Sequence, residues 1–175
     1  MEGSPKEEGQ VSLLQNTGFD LIARFQSGGA VYRHFKVDCT ADDYCAVEEI
    51  AYDKAWLGCE VLILPELSEE DPLRALVFRG AKENKCPDLK VDGRFVEIKT
   101  PTKSLSDTKI STNIKRGYEQ ANHVVINLIE HFSSGKLYKI AKGRFKTHET
   151  LEIVEFKMAG KYHIFESRKV LKKLK

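Results

Sequence analysis

The sequence has little that would place the chain in a membrane or in a disulfide framework. No apolar run approaches the roughly 20 residues that a membrane-spanning helix needs. The first eight residues carry neither the basic nor the apolar stretch of a signal peptide. We therefore expect no membrane span and no cleaved signal. The cysteines form no CxxC pair, and we expect them to be free, buried thiols in a reducing compartment: Cys39, Cys45, Cys59 and Cys86.

What is present is the composition of an ordinary globular protein. The chain has 175 residues, of which 41% are hydrophobic and 31% charged. This length suits one domain with a sizeable core. We expect a flexible N-terminus over residues 1–10 and a single domain over residues 11–175.

The net charge of +2 hides an uneven distribution. Residues 1–72 hold 5 Lys and Arg against 15 Asp and Glu. Residues 73–133 hold 11 against 7, and residues 134–175 hold 12 against 4. Such asymmetry is typical of a protein with a polyanionic partner, although the two parts could equally neutralise each other in the fold.

Hydrophobic periodicity and turn residues predict an alternation of strands and helices. A hairpin is expected over residues 19–25 and 30–37, and a second over 151–157 and 162–165. Single strands are expected over residues 59–64 and 124–129. Helical spacing is found over residues 107–121, and a short element lies around residues 137–145.

Residues 44–57 have the start, the end and the spacing of a helix. Two aspartates precede this segment and Gly58 follows it. One face is predicted to be apolar and to include Leu57. Glu49 points away from this face and Glu48 lies at its edge, so Glu48 is the carboxylate able to approach the interior.

The strongest local signal is a hairpin that turns at Asp92-Gly93. With a two-residue turn, Asp88 lies directly opposite Glu97, and their Cβ atoms are about 4.5–5.5 Å apart. Lys99 shares their face because alternate residues of a strand point the same way. Apolar residues occupy the other face, apart from Arg94 near the turn. The sequence thus predicts two carboxylates and a lysine side by side.

Two carboxylates in this position repel each other unless a proton, a cation or a divalent metal relieves the repulsion. Oxygen ligands of this kind suit Mg²⁺ or Mn²⁺. A metal so held can activate water and stabilise charge on a phosphodiester. Lys99 could position or deprotonate that water, or offset the phosphate charge. The alternative is an exposed surface hairpin in which Lys99 only pairs with Glu97.

Pro87-Asp88, eight intervening residues and Glu97-Ile98-Lys99 resemble the signature of the PD-(D/E)xK nuclease superfamily. Three stretches are similar to one branch, the restriction-endonuclease-like C-terminal toxin domain of contact-dependent growth inhibition systems and related phage and mobile-element proteins. They are residues 51–66, residues 87–102, and Gln120-Ala121 before Val124-Val125-Ile126. The similarity spans about residues 42–130.

This resemblance implies an α/β fold, with a restriction-endonuclease-like central mixed β-sheet flanked by helices. It implies that Asp88 and Glu97 are metal ligands, with Glu48 as a further carboxylate and Glu49 as the alternative to it. Lys99 would be the catalytic lysine, and Gln120, in the following helix, would support the site. The expected ion is Mg²⁺ or Mn²⁺, with Zn²⁺ as a further possibility.

Toxins of this branch imply a metal-dependent ribonuclease that acts on tRNA in the cytoplasm after delivery as a toxin, with a cognate immunity protein as inhibitor. Other superfamily members cut DNA. Basic residues near the hairpin are the candidate phosphate contacts: Lys103, Lys109, Lys115 and Arg116. Two other hypotheses are a metal-independent ribonuclease that uses His123 or His131, and a non-catalytic module that binds nucleic acid or a partner.

Overall fold

The structure is a computed structural model that describes residues 16–102 and 105–167. The chain divides into two units, one ending at Gly93 and one beginning at Arg94. The expectations for residues 1–10, for Lys103 and for the basic tail from Arg168 onward lie outside the described residues. The expectation of one domain over residues 11–175 stays a prediction.

The first unit is a four-stranded mixed sheet with a helix crossing between two of its strands. β1 and β2 form the predicted antiparallel hairpin, β3 runs parallel to β2, and β4 is antiparallel to β3. The parallel pair is connected through the long helix α1, as a parallel connection requires. The elements are β1 (Phe19–Arg24), β2 (Ala30–His34), α1 (Tyr44–Trp56), β3 (Glu60–Ile63), α2 (Arg74–Val77) and β4 (Leu89–Val91).

Helix α1 buries the predicted face against the sheet, with two corrections. Leu57 is 72% exposed, because the helix ends at Trp56 and the chain then turns through Gly58 at positive φ. Its place on the buried side is taken by Lys54. Cys45 is exposed rather than buried, since it lies on the solvent side of the helix. All four cysteines are free, but none is fully buried.

The second unit repeats the pattern with two crossover helices. β5 and β6 are parallel, β6 and β7 are parallel, and β8 closes the predicted hairpin antiparallel to β7. The short element expected near residues 137–145 is a full helix of 14 residues. The elements are β5 (Arg94–Lys99), α3 (Asp107–Tyr118), β6 (His123–Leu128), α4 (Ser134–Thr147), β7 (Ile153–Met158) and β8 (Lys161–Glu166).

The core of the second unit lies between one face of its sheet and helices α3 and α4. Ile110 and Ile114 of α3 pack with Val124 and Ile126 of β6, and all four side chains are fully buried. The predicted α/β class, a mixed sheet flanked by helices, is therefore confirmed. This packing fixes α3 beside the strand that carries Glu97.

Candidate active site

Glu97 and Lys99 lie together on the face of β5 that helix α3 covers. In the parallel pair of β5 with β6, Glu97 is level with Val124 and Lys99 with Ile126, which are core residues. Lys99 Nζ donates to Glu97 Oε1 at 2.5 Å. The alternation of the strand predicts this shared face, and the structure shows it.

The burial of Glu97 distinguishes this pair from an ordinary surface ion pair. Glu97 is 3% exposed, whereas the Lys99 side chain is 32% exposed. A carboxylate so buried must be paired or coordinated, because desolvation of an isolated charge is costly. This observation removes the alternative of an exposed surface hairpin. The catalytic roles of Glu97 and Lys99 stay predictions.

The Asp92-Gly93 turn has the backbone that the sequence predicts. Asp92 has φ of 45° and Gly93 of 82°, and two positive values are what a type I′ turn requires. Asp92 Oδ1 also accepts from the backbone N–H of Glu60 at 2.9 Å. Asp88 is partly buried directly before β4, and its carbonyl accepts from Leu64 N–H at 2.9 Å. Asp88 belongs to the first unit and Glu97 to the second. The role of Asp88 as a metal ligand stays a prediction.

Glu48 lies on α1 within a small hydrogen-bond network. Tyr44, one turn earlier, donates its hydroxyl to Glu48 Oε1 at 2.6 Å, and Arg33 Nη1 donates to that hydroxyl at 2.8 Å. Burial, together with the hydrogen bond to Glu48, raises the pKa of Tyr44. Tyr44 therefore stays protonated as a donor. Glu48 is partly buried and Glu49 exposed, as the helical pattern predicts.

A cleft opens where β5 runs into the loop before α3. Its volume is about 380 Å³, and it is lined by loop residues 100–102 and 105 and by five residues of α3. Those five are Thr108, Lys109, Thr112, Asn113 and Arg116. Two of the predicted phosphate contacts, Lys109 and Arg116, thus share one cleft. Lys115 is exposed on another side of the helix.

Gln120 is not in the helix, contrary to the prediction. Helix α3 ends at Tyr118, and Gln120 lies in the following turn, where its N–H donates to the carbonyl of Gly117 at 2.9 Å. The periodic pattern continued to Ala121, but Gly117 lowers helix propensity at this end. A supporting role for Gln120 stays a prediction.

The histidines that could serve a metal-independent reaction lie elsewhere. His123 Nε2 is 2.6 Å from Glu155 Oε1, and both side chains are largely buried. His123 is level with Val96, so it lies on the face of the sheet opposite Lys99. His131 is exposed in the loop after β6.

The donor chemistry at Glu97 fits a hydrated divalent ion. Within residues 16–102 and 105–167, no group of three or more His, Cys, Asp or Glu side chains could hold a metal ion. Mg²⁺ does not need such a group, because it uses one or two carboxylates with waters and substrate phosphates. The carboxylate of Glu97 suits Mg²⁺ or Mn²⁺, whereas Zn²⁺ favours nitrogen and sulfur ligands.

Comparison with known proteins finds one family model that matches part of the chain. Residues 85–162 match the profile of the family described as the contact-dependent growth inhibition CdiA C-terminal domain. A solved CdiA-CT/CdiI toxin and immunity complex from Burkholderia pseudomallei is similar to 75% of this chain and 90% of its own, at 19% identity and a TM-score of 0.43. No curated protein sequence matches the chain.

The matched segment contains most of the predicted site. Asp88, Glu97, Lys99 and Gln120 fall within residues 85–162, as does the cleft beside α3, whereas Glu48 falls outside. Among the residues that the structure describes, no helix has the length and apolar character needed to cross a membrane.

Proposed function

We propose that the protein is a metal-dependent endonuclease that hydrolyses phosphodiester bonds of RNA, with tRNA favoured, and that it acts as a toxin. The observation that carries the proposal is the contact between the Lys99 ammonium and the buried Glu97 carboxylate, at 2.5 Å. The pair lies inside the segment that matches the CdiA C-terminal domain. DNA is the alternative substrate for the same site.

The proposal gives each site residue one role. Glu97, Asp88 and Glu48 would hold a divalent ion, with Gln120 as a supporting residue. When bound, such an ion supplies an activated water and neutralises charge on the phosphate. Lys99 is assigned to offset the negative charge that develops on the phosphate, because its ammonium lies beside Glu97 at 2.5 Å.

The charge of the second unit supports a polyanionic substrate. Residues 94–175 hold 18 Lys and Arg against 8 Asp and Glu, whereas residues 1–93 hold 10 against 18. The candidate phosphate contacts belong to this positive part of the sequence: Lys103, Lys109, Lys115 and Arg116. Contacts of this kind bind the phosphate backbone of any sequence and weaken as salt concentration rises.

Cleavage assays on two polymers test the proposal. The purified protein should cut tRNA in the presence of Mg²⁺ or Mn²⁺ and should stop with EDTA, and plasmid DNA assayed in parallel tests the alternative substrate. Lys99→Ala should abolish cleavage. Lys139→Ala is the matched control, because it removes one exposed lysine from α4 and the same charge. Equal cleavage by the wild type and Lys99→Ala would refute the assignment of Lys99 as the catalytic lysine.

A second test addresses the biological role. Expression of the wild type inside bacterial cells should stop growth, and expression of Lys99→Ala should not. A toxin of this kind needs a cognate immunity protein, which we propose as the physiological partner. Normal growth of cells that accumulate active, folded wild-type protein would contradict the toxin role while leaving the nuclease assignment intact.

The buried pair of His123 and Glu155 is the observation that favours a different chemistry. A carboxylate 2.6 Å from a ring nitrogen orients an imidazole for general acid–base work. Activity that survives EDTA and is lost in His123→Ala would support a metal-independent ribonuclease. Tight binding of nucleic acid without cleavage under any divalent ion would instead support a non-catalytic module.

A further inference from the structure

We infer that the cleft beside α3 binds one unpaired ribonucleotide of the substrate strand and distinguishes ribose from deoxyribose. The inference rests on the proposed function, because the cleft begins at Thr100, directly after Lys99. It adds to that function a subsite with its own chemistry, carried by Thr112 and Asn113.

The size of the cleft selects a single nucleotide. A volume of about 380 Å³ lies near the lower end of the range for small-ligand pockets, about 300–1,000 Å³. The described walls are one face of α3 and residues 100–102 and 105, and a space of this size matches one nucleotide rather than a base pair. A nucleotide must therefore leave its stack to enter, and unpaired nucleotides do so at the lowest cost.

The cations of the cleft lie at both ends of one helix face. Lys109 and Arg116 are seven residues apart, which is two turns or about 10 Å along α3. Thr112 and Asn113 lie between them on the same face. No acidic side chain is among the nine described residues that line the cleft. Asp107, the acidic residue at the start of α3, pairs instead with Lys136 of α4 at 2.8 Å.

The polar groups between the cations present two acceptor oxygens, one from Thr112 and one from Asn113. Thr112 donates its one hydroxyl hydrogen to the carbonyl of Thr108 at 2.8 Å, so its oxygen can only accept. Asn113 Nδ2 donates one of its two hydrogens to the carbonyl of Lys109 at 2.9 Å, so that Asn113 presents one further N–H and its side-chain carbonyl oxygen, the acceptor. Phosphates bring no donor to these two oxygens. The 2′-hydroxyl of ribose does, and deoxyribose has none.

Thr100 supplies an independent observation at the end of the cleft nearest Lys99. Its hydroxyl oxygen is buried and has no hydrogen-bond partner among the described residues. A buried hydroxyl left in this state costs stability, so such groups mark places where a ligand or water completes the structure. Because this oxygen is closed off from solvent, a nucleotide beside Lys99 would bring polar atoms to it only after a shift of the Thr100 side chain.

Binding without cleavage tests the inference directly. Fluorescence anisotropy would measure the affinity of the protein for an unstructured 12-nucleotide RNA and for the DNA of the same sequence. Both measurements are made in EDTA and at one salt concentration. We expect RNA to bind about 3–10-fold more tightly than DNA, the worth of one or two hydrogen bonds. The same RNA in a full duplex should bind more weakly than the single strand.

Variants of α3 separate the sugar contact from the phosphate contact. Thr112→Val with Asn113→Leu should bring the RNA-to-DNA ratio close to one while DNA affinity stays within about twofold. Arg116→Ala should weaken RNA and DNA equally and reduce the salt dependence. Thr147→Val on α4 is the matched control, because Thr147 also donates back to helix carbonyls but lies outside the cleft. It should keep the ratio.

Two results would overturn the inference: equal binding of RNA and DNA by the wild type, or a preserved ratio in the folded double variant. Thr112→Ser, which keeps the hydroxyl, should keep the preference and covers the case in which the double variant fails to fold. Binding in EDTA is independent of catalysis. Cleavage without sugar preference would refute only the subsite, whereas sugar preference without cleavage would refute only the nuclease.

Discussion

Replacement of Lys99 by methionine tests whether the buried carboxylate depends on its ammonium partner. Removal of one member of a buried ion pair costs about 3–5 kcal/mol of unfolding free energy. The Lys99 side chain is 32% exposed while Glu97 is 3% exposed, so water screens one side of the pair. We therefore expect Lys99→Met to lower the unfolding free energy by about 1–3 kcal/mol. Urea denaturation measures this change.

A double-mutant cycle separates stability from catalysis. Glu97→Gln should cost less than Lys99→Met, since the remaining ammonium is accessible to water. The double variant should be more stable than the sum of the two costs predicts, by about 1 kcal/mol. All three variants should nevertheless fail to cut RNA, because the site needs both charges. A Lys99→Met protein that is as stable as wild type within about 0.5 kcal/mol would refute the reasoning, and an active double variant would refute the catalytic role.

Three further predictions concern packing, positioning and pH. Gly117→Ala should lower the unfolding free energy by about 1–3 kcal/mol, because the new Cβ would lie 2.6 Å from a valine methyl of β6. Gly143→Ala, which has open space around it, should instead raise the unfolding free energy by up to about 1 kcal/mol. Urea denaturation measures both changes. Tyr44→Phe removes the 2.6 Å hydrogen bond to Glu48 and should raise the Mg²⁺ concentration for half-maximal cleavage; an unchanged Mg²⁺ dependence contradicts the positioning. Burial lowers the pKa of His34, so as pH falls the unfolded chain binds a proton at this residue before the folded protein does. The unfolding free energy should therefore fall as pH drops below about 7, and it should fall less steeply in His34→Gln. Urea midpoints at several pH values measure this dependence.

The sequence predicted correctly those turns whose backbone conformation depends on the turn residues themselves. Asp92-Gly93 and Ala159-Gly160 both turn with positive φ at two successive residues. Asp and Gly adopt this conformation readily, whereas Ala159 does so against its own preference. Leu57 was misplaced for a tertiary reason. Periodicity continues its apolar face past Trp56, but the chain leaves the helix there toward β3. Ends of helices depend on where the next element must start, and spacing alone does not show this.

Some features of the candidate site follow from local sequence, and others depend on tertiary packing. The shared face of Glu97 and Lys99 follows from strand alternation, which needs no tertiary information. The contact of Tyr44 with Glu48 was accessible to sequence reasoning, because residues four apart on a helix are neighbours. The cleft was not, since it depends on how the loop after β5 lies against α3. The turn position of Gln120 likewise reflects the end of α3 at Tyr118.

The uneven charge of the sequence follows the division of the chain into two units, with the acidic excess in the first and the basic excess in the second. Acidic residues of the first unit act locally: Asp71 pairs with Lys36 at 2.6 Å, and that contact lowers the pKa of Asp71. Asp92 likewise accepts a backbone N–H within its own unit. Residues 94–175 instead hold ten more cations than anions, and the described residues that line the cleft beside α3 include Lys109 and Arg116 but no acidic side chain. Local pairing accounts for part of the acidity of the first unit, whereas the excess positive charge of the second unit agrees with the polyanionic substrate that we propose.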